Sequence, residues 1–214
     1  DAAAFGMSKA VVATSNDVNS NYWNPAGLVN IKDYQSAIMH TNYFEGIAKY
    51  DYVAFSMPLD DKSAVGISII RFGVDDILNT TQLIDNEGNI DYNRIRLFSA
   101  ADYALNFAYA RSFIHVEGLD IGFNVKLIRR IIGDFASSWG FGLDAGVQYH
   151  KNNVKAGIMF RDITSTFNVW RFSFSEEEKN ILGVTGNELP LERLEITNPQ
   201  IIVGASFLKR FNKM

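Results

Sequence analysis

The feature that most constrains this chain is a strict two-residue alternation between large apolar and small polar side chains. The clearest segment alternates five aliphatic or aromatic residues with small or polar ones: Leu119, Ile121, Phe123, Val125 and Leu127 against Asp120, Gly122, Asn124 and Lys126. Successive side chains of a β-strand point to opposite faces, so this period predicts strands and not helices. We therefore predict an all-β, antiparallel chain with eight strands, at residues 34–43, 49–58, 63–73, 99–111, 119–127, 139–150, 154–161 and 200–207.

The composition of the two strand faces favours a transmembrane β-barrel. The small-polar face carries Gly, Ala, Asn, Asp and Gln, whereas the apolar face carries large aliphatics with aromatic residues near the strand ends. That pattern is typical of a lipid-facing exterior, aromatic girdles and a polar interior. Connections expected to be short (59–62, 112–118, 151–153) alternate with longer ones (74–98, 131–138, 162–199), as periplasmic turns alternate with external loops. A soluble β-sandwich or soluble barrel is the alternative.

Composition and charge exclude several classes of function. The chain has 214 residues, of which 47% are hydrophobic, so it can bury a core, yet no run approaches about 18 apolar residues and no transmembrane helix is predicted. The net charge of -4, without a basic block, disfavours a nucleic-acid partner. The chain contains no cysteine.

Because the chain opens at Asp1 without a leader and ends at Lys213-Met214, we expect a signal peptide already removed and a C-terminus that is incomplete.

Residues 1–33 differ in composition and periodicity from residues 34–214, which carry the strands. They are rich in Ala, Ser and Asn, lack alternation, and end in a compact motif: Tyr22, Trp23, Asn24, Pro25, Ala26, Gly27 and Leu28. We expect Asn16 or Asp17 to cap a short helix that ends at Asn24, and Pro25 to begin a second one. Gly27 would end that helix or allow close backbone approach. We predict that 1–33 is a plug in the barrel; the alternative is that Trp23 and Leu28 pack onto a soluble core.

No catalytic residue, cofactor or metal site is predicted from the sequence, and an enzyme is therefore not predicted. His40, His115 and His150 are far apart and form no metal-ligand pair at helical spacing. Residues 85–91 offer oxygen ligands at alternate positions, either for a loop cation or as a solvated turn. Gly140 and Gly142 lie within a strand, which indicates close packing and not a dinucleotide loop.

The connection 162–199 carries the most conspicuous apolar cluster outside the strands. Four aromatic side chains are expected to need burial against the barrel rim or a partner, and we predict a partner-binding loop at Phe167, Trp170, Phe172 and Phe174. Ser175 and Glu178 fit a capping box at the start of a short helix, although a solvated charged run fits equally well.

Several short motifs resemble the PorV/PorQ family of outer-membrane barrels. Gly6-Met7, residues 10–13, Asn16-Asp17 and residues 22–28 resemble its N-terminal region, and residues 98–103, 139–144 and 161–168 resemble later parts. More distantly, the Asn-Pro-Ala element is similar to that of FadL-type fatty-acid transporters.

The resemblance implies a barrel of about 14 strands in a Gram-negative outer membrane, of which eight would be present here. It also implies a non-enzymatic accessory component of type IX secretion and gliding machinery, which engages cargo signal domains or the translocon through external loops. The expected partners are outer-membrane lipid and proteins. The alternatives are a FadL-like transporter of hydrophobic small molecules and a soluble structural β-protein.

Overall fold

A computed structural model describes residues 1–83, 89–184, 186, 188 and 194–209. Its strands are β1 (Gln35–Tyr43), β2 (Ala48–Asp60), β3 (Ser63–Asn79), β4 (Arg96–Ser112), β5 (Leu119–Ile132), β6 (Ala136–Lys151), β7 (Val154–Arg161), β8 (Thr166–Phe172), β9 (Leu194–Thr197) and β10 (Gln200–Phe207). Its α-helices are α1 (Ala2–Gly6), α2 (Ser20–Trp23) and α3 (Glu176–Val184), and 3-10 helices form at Pro25–Asn30, Phe44–Gly46 and Tyr92–Arg94. No helix in the described ranges is long and apolar enough to cross a membrane.

The strands form one antiparallel sheet in the order β1-β2-β3-β4-β5-β6-β7-β10. The prediction of an all-β antiparallel fold is confirmed, and each of the eight predicted strands is present. Within the described residues β1 pairs only with β2, and β10 pairs only with β7, so the sheet is open at both edges.

Two further strands lie where the sequence predicted a loop. β6 pairs with β7 through residues 145–151 and with β8 through residues 136–141, and β9 pairs with β8. β8 therefore continues the line of β7 along β6, and β9 pairs with β8 as β10 pairs with β7. The break between β7 and β8 is at residues 162–165, where Asp162 and Ser165 have positive φ (56° and 58°). The loop prediction was wrong here because β8 carries aromatic residues on both faces, which obscures its alternation.

The predicted alternation of short and long connections holds only in part. Residues 131–138 were expected to form a long link, but β5 continues to Ile132 and β6 begins at Ala136, which leaves a three-residue turn. The connection 113–118 at the opposite end is longer than that turn. Only the links after β3 and after β8 are long. Connection length is therefore weaker evidence for which end of the sheet faces outwards than the sequence alone suggested.

The two faces of the sheet divide as predicted. On the face that we call the inner face, small and polar side chains are buried, including Ala54, Ser56, Asn106, Asn124 and Asp144. The opposite, outer face exposes large apolar side chains along the strands, including Val53, Phe107, Phe123, Trp139 and Val203. This arrangement inverts that of a water-soluble sheet, whose exposed face is polar.

Candidate functional site

Residues 1–33, which we call the N-terminal segment, lie on the inner face. Asn21 shows how the sheet is arranged around them: its Nδ2 donates to Ser56 Oγ on β2 (2.8 Å), and its backbone oxygen accepts from Asn124 Nδ2 on β5 (3.5 Å). In a flat sheet β2 and β5 would be about 14 Å apart, because neighbouring strands are about 4.8 Å apart. One residue reaches both strands, so the sheet curves around the segment.

Asn24 joins the two short helices of the motif to β6. Its backbone is extended (φ -163°), as expected before Pro25, and its Oδ1 accepts from the Ala26 N–H (3.2 Å) to cap the 3-10 helix. Its Nδ2 donates to the backbone oxygens of Val12 (2.8 Å) and Val147 (3.2 Å). The prediction that one helix ends at Asn24 and another begins at Pro25 is confirmed.

The predicted helix cap lies elsewhere. Asn19, and neither Asn16 nor Asp17, occupies the N-cap position of α2. The Asp17 carboxylate instead accepts from the backbone N–H of Asn19 (2.9 Å), two residues further on. Such local turns are a common alternative for Asp side chains, and here the turn precedes the helix.

Two side chains from later strands bind the N-terminal segment. Gln148 Nε2 donates to the backbone oxygens of Val12 (3.1 Å) and Ser15 (3.0 Å). Arg161 donates from Nη2 to the Tyr22 oxygen (2.9 Å), and its guanidinium lies 4.8 Å from the Tyr22 ring centroid. Three backbone acceptors of the segment therefore receive hydrogen bonds from strands β6 and β7.

Glycines on the inner face allow the segment to approach the strand backbones. A Cβ atom would collide with the N-terminal segment at five strand positions, which are Gly66, Gly122, Gly146, Gly157 and Gly204. At Gly122 it would lie 2.3 Å from the Ala26 nitrogen, a backbone atom with little freedom to move. At Gly27 within the segment, a Cβ would lie 2.1 Å from the Ser15 oxygen, which confirms the predicted close approach there.

The seven motif residues divide between two environments. Asn24, Pro25, Ala26, Gly27 and Leu28 are buried, and Leu28 packs in a core with Val29, Ile31, Ala64, Ala108 and Ala110. Tyr22 and Trp23 instead contact each other edge to face (4.9 Å between centroids) and line a cavity of about 370 Å³. That cavity is bordered by further aromatic side chains: Phe5, Tyr43, Tyr50 and Tyr52.

A buried charged cluster occupies the break between β7 and β8. Lys126 Nζ lies 2.8 Å from Asp144 Oδ1 and also pairs with Asp162, whose Oδ1 accepts from the Thr166 hydroxyl. The Asp162 N–H donates to Asp144 Oδ1 (2.8 Å), and Asn124 Nδ2 donates to Asp144 Oδ2 (3.2 Å). The three charged side chains are 13%, 4% and 10% exposed for Lys126, Asp144 and Asp162. The sequence placed Lys126 and Asp144 on one face, but Asp162 fell in a predicted loop.

Three of the four predicted partner-binding aromatics lie together. Trp170, Phe172 and Phe174 continue through Phe135 to Phe98, with successive ring centroids 6.2, 6.3, 6.2 and 5.2 Å apart. We call these five residues the rim aromatic column; each is partly exposed. Phe167 is not part of it, because its position in β8 places it on the outer face, 40% exposed.

Arg130 connects the column to neighbouring strands. Its Nε donates to Asp102 Oδ1 on β4 (3.0 Å), and its Nη1 donates to both carboxylate oxygens of Glu195 on β9 (3.2 and 3.0 Å). The Trp170 indole donates to the same carboxylate (2.6 Å), and the Arg130 guanidinium lies 5.0 Å from the Trp170 ring centroid. Four strands are thus joined at this end of the sheet.

The helix after the column begins as predicted. The Ser175 N–H donates to Glu178 Oε2 (2.8 Å), and the Glu178 N–H donates to Ser175 Oγ (3.2 Å), which is a capping box. These reciprocal bonds satisfy two backbone donors at the start of α3. The capping interpretation is therefore confirmed over the charged-run alternative.

The candidate metal ligands do not converge within the described residues, where no group of three or more His, Cys, Asp or Glu side chains could hold an ion. His150 is exposed, with Nδ1 3.6 Å from Asp120 Oδ2, and His40 Nδ1 lies 2.6 Å from Asp51 Oδ1. Most of the loop considered for a cation, at 85–88, lies outside the described residues. Asp91 at its end accepts from the Asn93 N–H (3.0 Å).

Comparison with protein families decides the class of protein. The family model described as type IX secretion system protein PorV matches residues 1–179, which include the N-terminal segment and β1 to β8. The chain belongs to the PorV family. The predicted resemblance to PorV is therefore confirmed, and the chain is a component of type IX secretion. PorV proteins are outer-membrane components of this system, and membership implies protein partners in the secretion machinery. PorV is not a known enzyme family. A search of curated proteins found no match to the chain.

Proposed function

We propose that this chain forms a plugged outer-membrane barrel that acts, without catalysis, as a docking component of type IX secretion. The observation that carries the docking role is the rim aromatic column, a stack of partly exposed aromatic side chains at one end of the sheet. Aromatic side chains contribute large contact area at little cost in conformational entropy, so they are enriched where proteins bind proteins. The partner would be the C-terminal signal domain of a secreted protein or the translocon.

Two observations support closure into a transmembrane barrel. The outer face exposes apolar side chains on successive strands, and the inner face is polar, small and buried. The edges of β1 and β10 are unpaired within the described residues. Unpaired strand edges are costly in lipid, so further strands would join β10 to β1 and bring the total to an even number.

The N-terminal segment would act as the plug of that barrel. It contacts the inner face from β2 to β10 through buried amide side chains, the Arg161 guanidinium and glycine positions that fit it closely. Such packing leaves little room for solutes to pass through the barrel. The protein would then act through its exposed surface, by binding partners, and not by conducting solutes.

Membrane fractionation of the full-length protein tests the barrel. We expect recovery in the detergent-soluble outer-membrane fraction and slower migration on gels after heating, as expected for a barrel that unfolds. Extraction by alkaline buffer without detergent would refute the membrane proposal and favour the soluble structural alternative.

Binding to a purified cargo signal domain and to the purified translocon tests docking. We expect the triple variant Trp170→Ala/Phe172→Ala/Phe174→Ala to lose binding to at least one of them. The control Phe113→Ala/Ile114→Ala removes exposed apolar side chains at the opposite end of the sheet and should bind as the wild type does. Equal binding by the triple variant, with heat-modifiable migration retained, would contradict a docking role for the column.

A second candidate function, transport of hydrophobic small molecules, is favoured by one observation. The cavity of about 370 Å³ beside Trp23 is within the size range of ligand pockets, and six of its thirteen lining residues are aromatic. Its polar lining residues are Asp1, Lys9, Asn19 and Arg161. Leu28, from the same motif, does not line this cavity and is buried in the core. Mass spectrometry of solvent extracts would support transport if a stoichiometric lipid were found and were lost in Tyr50→Ala; no lipid in the wild type would refute it.

A further inference from the structure

The outer face of β5, β6 and β8 changes from apolar to cationic over three rows of aligned residues. The register aligns Leu127 with Phe141 and Phe167, then Arg129 with Trp139 and Val169, and then Ile131 with Ser137 and Arg171. Rows on one face are about 7 Å apart. Within about 14 Å, therefore, a wholly apolar row gives way to a tryptophan and two arginines. This order is typical of the boundary between hydrocarbon and headgroups.

Five residues of the second and third rows line an open groove of about 460 Å³. Its lining residues are Arg129, Ser137, Trp139, Val169 and Arg171. The Arg129 guanidinium lies 5.0 Å from the Trp139 ring centroid, and its Nη1 donates to the Ser138 backbone oxygen (3.4 Å). The guanidinium is therefore held in place on the surface while other N–H donors remain available.

Neither arginine of the groove has an acidic partner among the described residues. Arg130, one position along on the inner face, differs in this respect because it pairs with both Asp102 and Glu195. A guanidinium beside exposed apolar surface is stabilised by a bound anion, and phosphate accepts two parallel hydrogen bonds from it. The groove thus offers two cations, the Ser137 hydroxyl and an indole ring above an apolar wall.

We propose that this groove binds a phosphate group of a membrane glycolipid whose acyl chains lie along Leu127, Phe141 and Phe167. The inference rests on the proposed function, because the outer face must contact lipid. The groove lies at the same end of the sheet as the 133–135 turn and the rim aromatic column. The two long links, after β3 and after β8, lie at that same end, and long links are external in outer-membrane barrels. That end would therefore meet the outer leaflet, so the occupant is a phosphorylated glycolipid of the lipid A class.

Native mass spectrometry of the detergent-solubilised full-length protein tests the site with added lipid A as the probe. We expect Arg129→Gln/Arg171→Gln to bind lipid A about tenfold more weakly than the wild type, and each single variant to fall between them. Arg111→Gln is the matched control, because Arg111 is exposed on the outer face at the opposite end of β4 and does not line the groove. It should bind lipid A as the wild type does.

Two further probes identify the source of the phosphate. Dephosphorylated lipid A should bind the wild type and the double variant equally weakly, and inorganic phosphate alone should not displace lipid A. Equal lipid A binding by the double variant and the wild type would overturn the proposal, as would equal binding of lipid A and its dephosphorylated form. Displacement by inorganic phosphate would indicate a free-anion site and would also overturn it.

Failure of this proposal is distinguishable from failure of the proposed function. If the protein remains in the detergent-soluble membrane fraction and the double variant retains lipid A, only the lipid site is wrong. If the protein is extracted without detergent, the barrel is wrong and the lipid site is wrong with it. Loss of cargo binding in the Trp170/Phe172/Phe174 variant tests only the docking role, because the rim aromatic column contains neither Arg129 nor Arg171.

Discussion

The two ends of β6 contact different partners: one end packs against the N-terminal segment on the inner face, and the other pairs with β8. At Gly146 and Gln148 the N-terminal segment packs against the strand, held by buried hydrogen bonds from amide side chains to backbone oxygens. At Ala136 to Phe141 the strand pairs with β8, which leads into ring stacking and partly exposed ion pairs. Buried hydrogen bonds tolerate little displacement, whereas stacked rings and exposed ion pairs adjust. We therefore expect the first region to fix the fold and the second region to tolerate the small displacements that binding a partner would require.

The largest test of this comparison removes the cation of the buried cluster. Lys126→Met leaves Asp144 and Asp162 without their partner, and breaking a buried ion pair in this way costs about 3–5 kcal/mol. Urea unfolding in detergent should show the loss as a global shift of the midpoint. Lys49→Met is the control, since Lys49 pairs with Asp75 (2.9 Å) while 40% exposed, and should shift it little. Equal shifts would contradict the distinction.

A methyl group added under the N-terminal segment should have the next largest effect. In Gly122→Ala the new Cβ would meet the Ala26 nitrogen, and overpacking of this kind costs about 1–3 kcal/mol. We expect the segment to become sensitive to protease before the strands do. At Gly183 in α3, no atom lies within 4 Å of an added Cβ, so Gly183→Ala should not change the cleavage pattern. Unaltered protection in Gly122→Ala would show that the segment is held loosely.

At the other end of β6, loss of the helix cap should act locally. Ser175→Ala removes the oxygen that accepts from the Glu178 N–H, at a cost of about 1 kcal/mol to α3. Hydrogen exchange should accelerate in 176–184 only, with the unfolding midpoint of the sheet unchanged. Ser173→Ala, just before the cap, should leave exchange in α3 as it is. Faster exchange in the strands would show that this end is coupled to the fold.

The smallest effect is expected for Arg130→Lys. A lysine retains the charge but has a single nitrogen, so it cannot reproduce the separate contacts of Nε with Asp102 and of Nη1 with Glu195. Partly exposed pairs contribute up to about 1 kcal/mol. Faster hydrogen exchange confined to β9 would agree with this. Arg94→Lys, in a weaker pair with Asp91 (3.6 Å), should leave exchange in its own 3-10 helix nearly unchanged. A shift of the global midpoint by Arg130→Lys would place the rim among the elements that fix the fold.

The sequence predicted the strands and their faces because these depend on local periodicity. The division between Phe123 and Asn124, for example, follows from alternation alone, and the Ser175–Glu178 box follows from a spacing of three residues. Strand β8 was missed because Phe167 and Trp170 lie on opposite faces. The pairing of Lys126 with Asp162 depends on how β7 and β8 align along β6, which no local pattern encodes.

The glycines under the N-terminal segment also have a consequence for the order of folding. Val12 packs against Gly157 on β7 and Gly204 on β10, and its backbone oxygen accepts from Gln148, 136 residues away in sequence. Contacts of such long sequence separation carry a large loop-closure entropy and form slowly. We therefore expect the N-terminal segment to reach its native position after the strands that follow it in sequence, since part of its binding surface does not exist until β10 has joined the sheet.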